Sequence, residues 1–126
     1  CKAYDLEDAI AAVRPAVDAR TAVLPVLNGV SHIEALQRAF GAERVLGGIA
    51  KIQATLAPDG TVRHLNDWRY LTFGEMDGRM SPRVEALAGA ASGAEGMVAT
   101  AVPDIAFRLW EKLVHLGTSA VCTVLM

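Results

Sequence analysis

The residue best suited to take part in a reaction is a lysine on an otherwise apolar row of a predicted helix. The apolar members of that row recur at helical spacing, and they are Ile105, Leu109 and Leu116. Lys112 takes the remaining position, at the border with a polar stripe. Such a lysine can lie along the core with its ammonium in water, or it can point into a cleft as a cation or proton donor. Helix geometry leaves both interpretations open.

Two further candidates follow from their places in the predicted elements. Asn28 comes directly after the apolar run 22–27, which is typical of a buried strand, and ligands of open α/β sheets bind beyond the carboxyl ends of strands. An asparagine that forms a turn fits the same position. Lys2 precedes the first predicted helix and would follow a strand if one lay upstream. Its alternative is an ordinary solvated lysine.

The remaining reactive residue types form no recognisable set. His32, His64 and His115 fall in three unrelated predicted elements, and the only cysteines are Cys1 and Cys122. No HExxH, paired-cysteine or phosphate-loop motif is present. The sequence therefore predicts neither a metal site nor a side-chain nucleophile.

Composition limits the classes of function. The chain has 126 residues, enough for one ordinary domain, and a net charge of −2 with no Lys/Arg cluster, which argues against nucleic-acid binding. The longest uncharged run, 113–126, is too short and too polar to cross a membrane, which takes about 20 apolar residues. No signal or transit peptide is recognisable, and two cysteines make no disulfide framework, so a reducing cytoplasm is expected. A start at Cys1 suggests a piece of a longer protein.

Periodicity and turn signals predict an α/β domain with a mixed sheet, in which Pro15 kinks or shortens the first helix. The predicted elements are a helix at 5–19, a strand at 22–27, a helix at 31–40, hairpin strands at 47–56 and 61–65, a strand at 70–73, a helix at 81–91, a strand at 97–101 and a helix from 103. A domain boundary near Val102 divides the chain into 1–102 and 103–126. Phe107 and Trp110 are expected to be core aromatics.

Several strings, taken in order along nearly the whole chain, resemble the ketopantoate reductase (2-dehydropantoate 2-reductase) family. The combination of an Asn-Gly string with a Trp-x-Lys-Leu string is the most specific part. The strings are Lys2-Ala3-Tyr4, Val23-Leu24-Pro25-Val26-Leu27-Asn28-Gly29-Val30 with Glu34 and Leu36 behind it, Val45-Leu46-Gly47-Gly48, Pro58-Asp59-Gly60-Thr61-Val62-Arg63-His64, Phe73-Gly74-Glu75, Pro103-Asp104-Ile105 and Leu109-Trp110-Glu111-Lys112-Leu113.

This resemblance implies a two-domain oxidoreductase of pantothenate biosynthesis. A Rossmann-type domain would bind NADP(H), and an all-helical C-terminal domain would close over it. Residues 1–102 resemble the second half of the Rossmann-type domain, and residues 103–126 resemble the first helix of the helical domain. The implied reaction is NADP-dependent reduction of a small-molecule 2-keto acid, 2-dehydropantoate or a related compound. A homodimer is one possible assembly.

The resemblance also implies roles for individual residues. Lys112 matches the lysine that binds the substrate and donates a proton to its ketone oxygen. Asn28 matches an asparagine that contacts both cofactor and substrate. Lys2 matches a lysine near the cofactor, and Ala54 matches a backbone contact beside the nicotinamide.

The sequence departs from the family pattern after the lysine. Leu116 and Ala120 stand where ketopantoate reductases commonly have asparagines that hold the substrate. A site without these polar partners is expected to bind a polar hydroxy acid differently. Two alternatives stay open: another dehydrogenase of the β-hydroxyacid type, and a non-catalytic module that binds a partner through its apolar last helix. We expect this piece alone to be inactive.

Overall fold

The computed structural model describes residues 2–125, which form a small mixed sheet with helices on both of its faces. Short 3-10 turns at Ala3–Asp5, Arg14–Ala16 and Ala42–Arg44 connect the main elements. In chain order these are α1 (Leu6–Val13), α2 (Ser31–Phe40), β1 (Leu46–Leu56), β2 (Val62–Glu75), α3 (Pro82–Ala91), β3 (Val98–Ala101) and α4 (Ile105–Leu125). The α/β class with a mixed sheet is confirmed.

The strand order is β1-β2-β3, with β1 and β2 antiparallel and β2 and β3 parallel. The turn between β1 and β2 forms as its sequence predicts. Asp59 Oδ1 accepts a hydrogen bond from the Thr61 amide at 2.9 Å, and Gly60 has a φ of +84°. β2 is one continuous strand, whereas the sequence predicts two strands, 61–65 and 70–73. A register shift between Ile52 and Ala54 in β1 accommodates the extra length.

Side chains that alternate along the strands form two cores. On one face Leu46 and Phe73 pack with Val84 of α3. On the other face Ile49 packs with Ile105 and Leu109 of α4 in a larger cluster. Both faces of the sheet are therefore covered where β1 begins and β2 ends. The far end of the hairpin is exposed.

The predicted strand at 22–27 is wrong. Within the described part of the chain, the segment forms one parallel bridge, between Val23 and Val45. Pro25 has no amide hydrogen to donate to a ladder, and its carbonyl oxygen instead lies so close to Gly48 that a Cβ there would be 2.4 Å away. The segment packs against the sheet through this contact and Leu24.

The helix boundaries have different local causes, and Ser81 caps α3 by accepting a hydrogen bond from the Val84 amide. α1 ends at Val13, and Pro15 lies in the following 3-10 turn, so the early end is confirmed. α2 begins at Ser31 after the N-cap residue Val30, and within residues 2–125 no side chain caps its first turn. Phe107 and Trp110 are 67% and 59% exposed, so their assignment to a core is wrong for residues 2–125.

Candidate active site

The first turns of α4 lie against the sheet because two glycines leave room for them. Gly47 and Gly74 are paired across β1 and β2. A Cβ at Gly47 would lie 2.8 Å from Ile105, and one at Gly74 would lie 2.1 Å from the Val102 carbonyl oxygen. Any larger residue would therefore push the start of α4 away from the sheet. This close approach fixes the position of the residues two turns further along α4.

Lys112 is held over the strand that it faces. Its Nζ donates a hydrogen bond to the carbonyl oxygen of Ala50 at 2.9 Å, and the side chain is half-buried. Burial lowers the pKa of the Lys112 ammonium, and the positive charge of Lys51 lowers it further. The ammonium thus meets a neutral acceptor and a like charge, without a carboxylate partner among residues 2–125.

A cleft of about 700 Å³ opens between α4 and the sheet, large enough for a small-molecule ligand. Asn28 and Lys112 both line it, so the structure brings these two predicted site residues together. The other lining residues come mainly from β1, β2 and α4, and they are Ala50, Lys51, Ile52, Trp68, Tyr70, Thr72, Thr100, His115 and Leu116.

An adjoining cavity of about 320 Å³ shares four of these residues, so the two spaces border the same lysine. The shared residues are Lys51, Thr72, Lys112 and His115. Arg108 and Glu111 line the smaller cavity only. Basic side chains therefore predominate along this side of α4.

The other two predicted site residues lie elsewhere. Lys2 is exposed in front of the Ala3–Asp5 turn and does not line the cleft. Ala54 is exposed in the outer part of the hairpin, where it pairs with His64 beyond the register shift. Their contacts with a cofactor stay predictions that rest on resemblance.

The β-strand contributions to the cleft were not predicted. Lys51 pairs with Tyr70, and Thr72 pairs with Ile49, so these four side chains share the face of the sheet that α4 covers. The alternation of side chains along each strand could have predicted these cleft residues, but only if the register between β1 and β2 had been known.

Within residues 2–125, no group of three or more His, Cys, Asp or Glu side chains is arranged to hold a metal ion. In the same part of the chain, none of the helices has the length and apolar character that crossing a membrane requires.

Comparison with known proteins identifies the family. Residues 1–78, more than half of the chain, match the family model described as ketopantoate reductase PanE/ApbA. The chain belongs to the ketopantoate reductase family. A curated 2-dehydropantoate 2-reductase from Archaeoglobus fulgidus is 41% identical over 113 residues, 90% of this chain and 36% of that protein. The uncharacterized oxidoreductase YkpB of Bacillus subtilis is 34% identical over 98% of this chain and 41% of its own length.

Solved ketopantoate reductase structures share the fold. The 2-dehydropantoate 2-reductase from Porphyromonas gingivalis superposes with a TM-score of 0.87 at 26% identity, over 98% of this chain and 43% of that one. The enzyme from Geobacter metallireducens gives 0.78 at 34% identity, over 90% and 37%. This chain thus spans about two-fifths of the length of its relatives in the ketopantoate reductase family.

Proposed function

We propose that the full-length protein containing this chain reduces a 2-keto acid with NADPH. The observation that carries the proposal is the half-buried Lys112, with a lowered pKa, in a cleft that Asn28 also lines. A bound nicotinamide would supply the hydride to the keto carbon. The ketone becomes a secondary alcohol, and the proton on its oxygen comes from Lys112.

The residues present fit the reacting end of such a cofactor together with a small acid. The cleft has about 700 Å³, and Asn28 lies at its edge with an amide that can both donate and accept hydrogen bonds. We propose that Asn28 contacts both cofactor and substrate. Lys2 and Ala54 are proposed to contact the cofactor on resemblance alone.

Lys112 serves as the general acid. In its charged form the ammonium stabilises the negative charge that develops on the ketone oxygen, and it then gives up a proton. Burial and the neighbouring Lys51 charge make the ammonium a stronger acid than a solvated lysine. The hydrogen bond to Ala50 orients Nζ without neutralising it, since a carbonyl carries no net charge.

The identity of the keto acid depends on α4 after Lys112. Leu116 lines the cleft, whereas Ala120 does not. Neither side chain can hydrogen-bond a substrate hydroxyl. The substrate class that we propose is 2-dehydropantoate or a related 2-keto acid, and the panel of substrates decides which one is preferred.

The test is NADPH oxidation by the full-length protein with 2-dehydropantoate and a panel of other 2-keto acids. NADH is tested beside it, because a solved D-mandelate dehydrogenase of the same fold is a complex with NADH. Rapid turnover of any 2-keto acid supports the proposal. Turnover of 3-hydroxy acids with NADP⁺ instead would indicate a β-hydroxyacid-type dehydrogenase. We expect the 126-residue chain by itself to show no turnover, because it spans only about two-fifths of its relatives.

We also propose that residues 103–126 begin a second, helical domain that contributes to a homodimer in the cytoplasm. The supporting observation is an apolar stripe on the outer side of α4, consisting of Phe107, Trp110, Val114 and Val121, all more than half exposed. Sedimentation of the full-length protein at several concentrations tests the dimer. A monomer at every concentration contradicts it.

A further inference from the structure

Lys51 is a second cation at the site, and in the proposed proton transfer it acts only through its charge, which lowers the pKa of Lys112. It follows Ile49 by two residues on β1 and pairs across the sheet with Tyr70, so it belongs to the face that α4 covers. It lines both the 700 Å³ cleft and the 320 Å³ cavity, as Lys112 does. The two lysines therefore border the same space from opposite walls, one on the sheet and one on the helix.

The charge of the larger cleft is unbalanced, whereas Glu111 and Arg108 both line the smaller cavity. The lining of the larger cleft contains both lysines and none of the Asp or Glu side chains of residues 2–125. Neither lysine takes part in an ion pair within the same range. Lys51 is close enough to lower the pKa of Lys112 by charge repulsion. Holding two unpaired ammonium groups together costs free energy, and an anion between them would remove that cost.

We propose that Lys51 is the specificity residue that binds the carboxylate of the 2-keto acid, while Lys112 takes the ketone oxygen. The inference rests on the proposed function. A 2-keto acid carries its carboxylate and its ketone on adjacent carbons, so two neighbouring cations can bind one group each. With the carboxylate on Lys51, the ketone oxygen comes next to the proton of Lys112.

The substrate side chain is proposed to contact the apolar part of the cleft lining, away from the polar side chains of Asn28, Tyr70, Thr72, Thr100 and His115. Ile52, Trp68 and Leu116 supply apolar lining, and Leu116 lies one turn beyond Lys112 on the same row of α4. A hydroxyl placed against these groups would lose hydrogen bonds to water without replacement. The favoured substrates are therefore 2-keto acids with a branched aliphatic or aromatic side chain. We expect kcat/KM for them to exceed that for 2-dehydropantoate about tenfold or more, within the range that apolar pockets achieve.

The experiment compares Lys51→Met with the wild-type full-length enzyme on a 2-keto acid and on its methyl ester. Methionine keeps most of the length of the side chain and removes the charge. We expect KM for the acid to rise about 10- to 100-fold, as for the loss of one hydrogen bond to a charged group, and KM for the ester to stay within about twofold. Lys51→Arg should restore much of the difference between acid and ester. Arg63→Met removes an exposed charge on the outer hairpin and is the matched control.

Two further readouts separate a substrate contact from a structural role. Calorimetric titration of the 2-keto acid without cofactor should show the same loss of affinity in Lys51→Met. The decline of kcat at high pH should move to higher pH in this variant, because the charge that lowers the pKa of Lys112 is gone.

The outcomes distinguish the inference from the function on which it rests. If the wild-type enzyme reduces no 2-keto acid, the proposed function fails. If it reduces them and Lys51→Met leaves the difference between acid and ester unchanged, the role of Lys51 is overturned. A rise in KM for NADPH alone would overturn it too, since Lys51 would then serve the cofactor. A preference for 2-dehydropantoate over apolar keto acids would overturn the assignment of the side-chain pocket.

Discussion

Two charged side chains, those of Glu75 and Lys112, lie on opposite faces of the sheet, and their partners differ. Glu75 lies at the end of β2, and its side chain is only 7% exposed. Both of its oxygens accept hydrogen bonds from Arg83, at 2.7 and 2.6 Å, and the Ser81 hydroxyl donates another. Lys112 has one neutral partner, a like-charged neighbour and open space beside it.

The direction of each pKa shift records this difference. Hydrogen bonds from Arg83 lower the pKa of the Glu75 carboxyl, so the charged form is the stable one. Burial and Lys51 lower the pKa of Lys112, so its charged form is the less stable one. A fully paired charge stabilises the fold and has no proton to exchange near neutral pH. A poorly paired charge at the edge of a cleft is a stronger acid, as the proposed proton donor requires.

The largest expected effect is on activity. In the full-length enzyme, Lys112→Ala should lower kcat by roughly 100-fold or more, on the scale of a lost general acid. The urea midpoint of unfolding should stay the same or rise, because the variant removes a half-buried charge that has no counter-ion in residues 2–125. Lys112→Met, which keeps the packing, should match the alanine variant in kcat. An unchanged rate in either variant would remove Lys112 from its role.

Glu75→Gln should give the opposite pattern, with lower stability and kcat unchanged. The substitution leaves the Arg83 guanidinium with a neutral partner, and we expect a loss of about 2 kcal/mol in the free energy of unfolding, measured by urea titration. Since the folded pKa of Glu75 is lowered from 4.5, the wild-type advantage should be complete above that pH and should shrink as the pH falls through the lowered value. The double variant Glu75→Gln with Arg83→Met should regain part of the loss. Equal stability of wild type and Glu75→Gln at neutral pH would contradict this account of the pair.

The pH dependence of kcat in the wild-type enzyme tests the Lys112 half of this comparison. A general acid must be protonated, so kcat should fall as the pH rises through the pKa of Lys112 in the enzyme. Because that pKa is lowered from 10.5, the decline should begin at a lower pH than for a solvated lysine. Rates in a constant-ionic-strength buffer series check this. A flat profile up to pH 10.5 would argue against Lys112 as the donor.

The sequence predicts elements that depend on local signals and fails where distant residues decide. Pro15 ends the first helix, and Asp59 and Gly60 form their turn, because both effects act within a few residues. The run at 22–27 has the composition of a buried strand, yet within residues 2–125 it finds no ladder partner beyond the one bridge at Val23. No local pattern could show this.

Some residues of the candidate site can likewise be predicted from local sequence, and others depend on distant residues. Lys112 and Asn28 are recognisable from spacing and family resemblance, since the signal for the proposed role of each lies within one string of residues. Lys51 becomes visible only through the register that pairs it with Tyr70, which 18 intervening residues separate along the chain. Trp110 is a large apolar residue of the kind that fills cores, yet it lies outside the core of residues 2–125. α4 has two apolar faces, and the sequence does not show which of them packs against the sheet.

The smallest expected effect comes from an ion pair that has a short distance between its charged atoms but is exposed to solvent. Glu34 and Arg38 form an ion pair of 3.1 Å on α2, with side chains 75% and 71% exposed. Water and salt screen such a pair, and one helical turn between the partners limits its contribution to about 0.3–0.5 kcal/mol. Arg38→Ala should therefore change the free energy of unfolding by less than about 0.5 kcal/mol and leave kcat unchanged. A loss as large as that of Glu75→Gln would show that burial and complete pairing do not distinguish the two carboxylates.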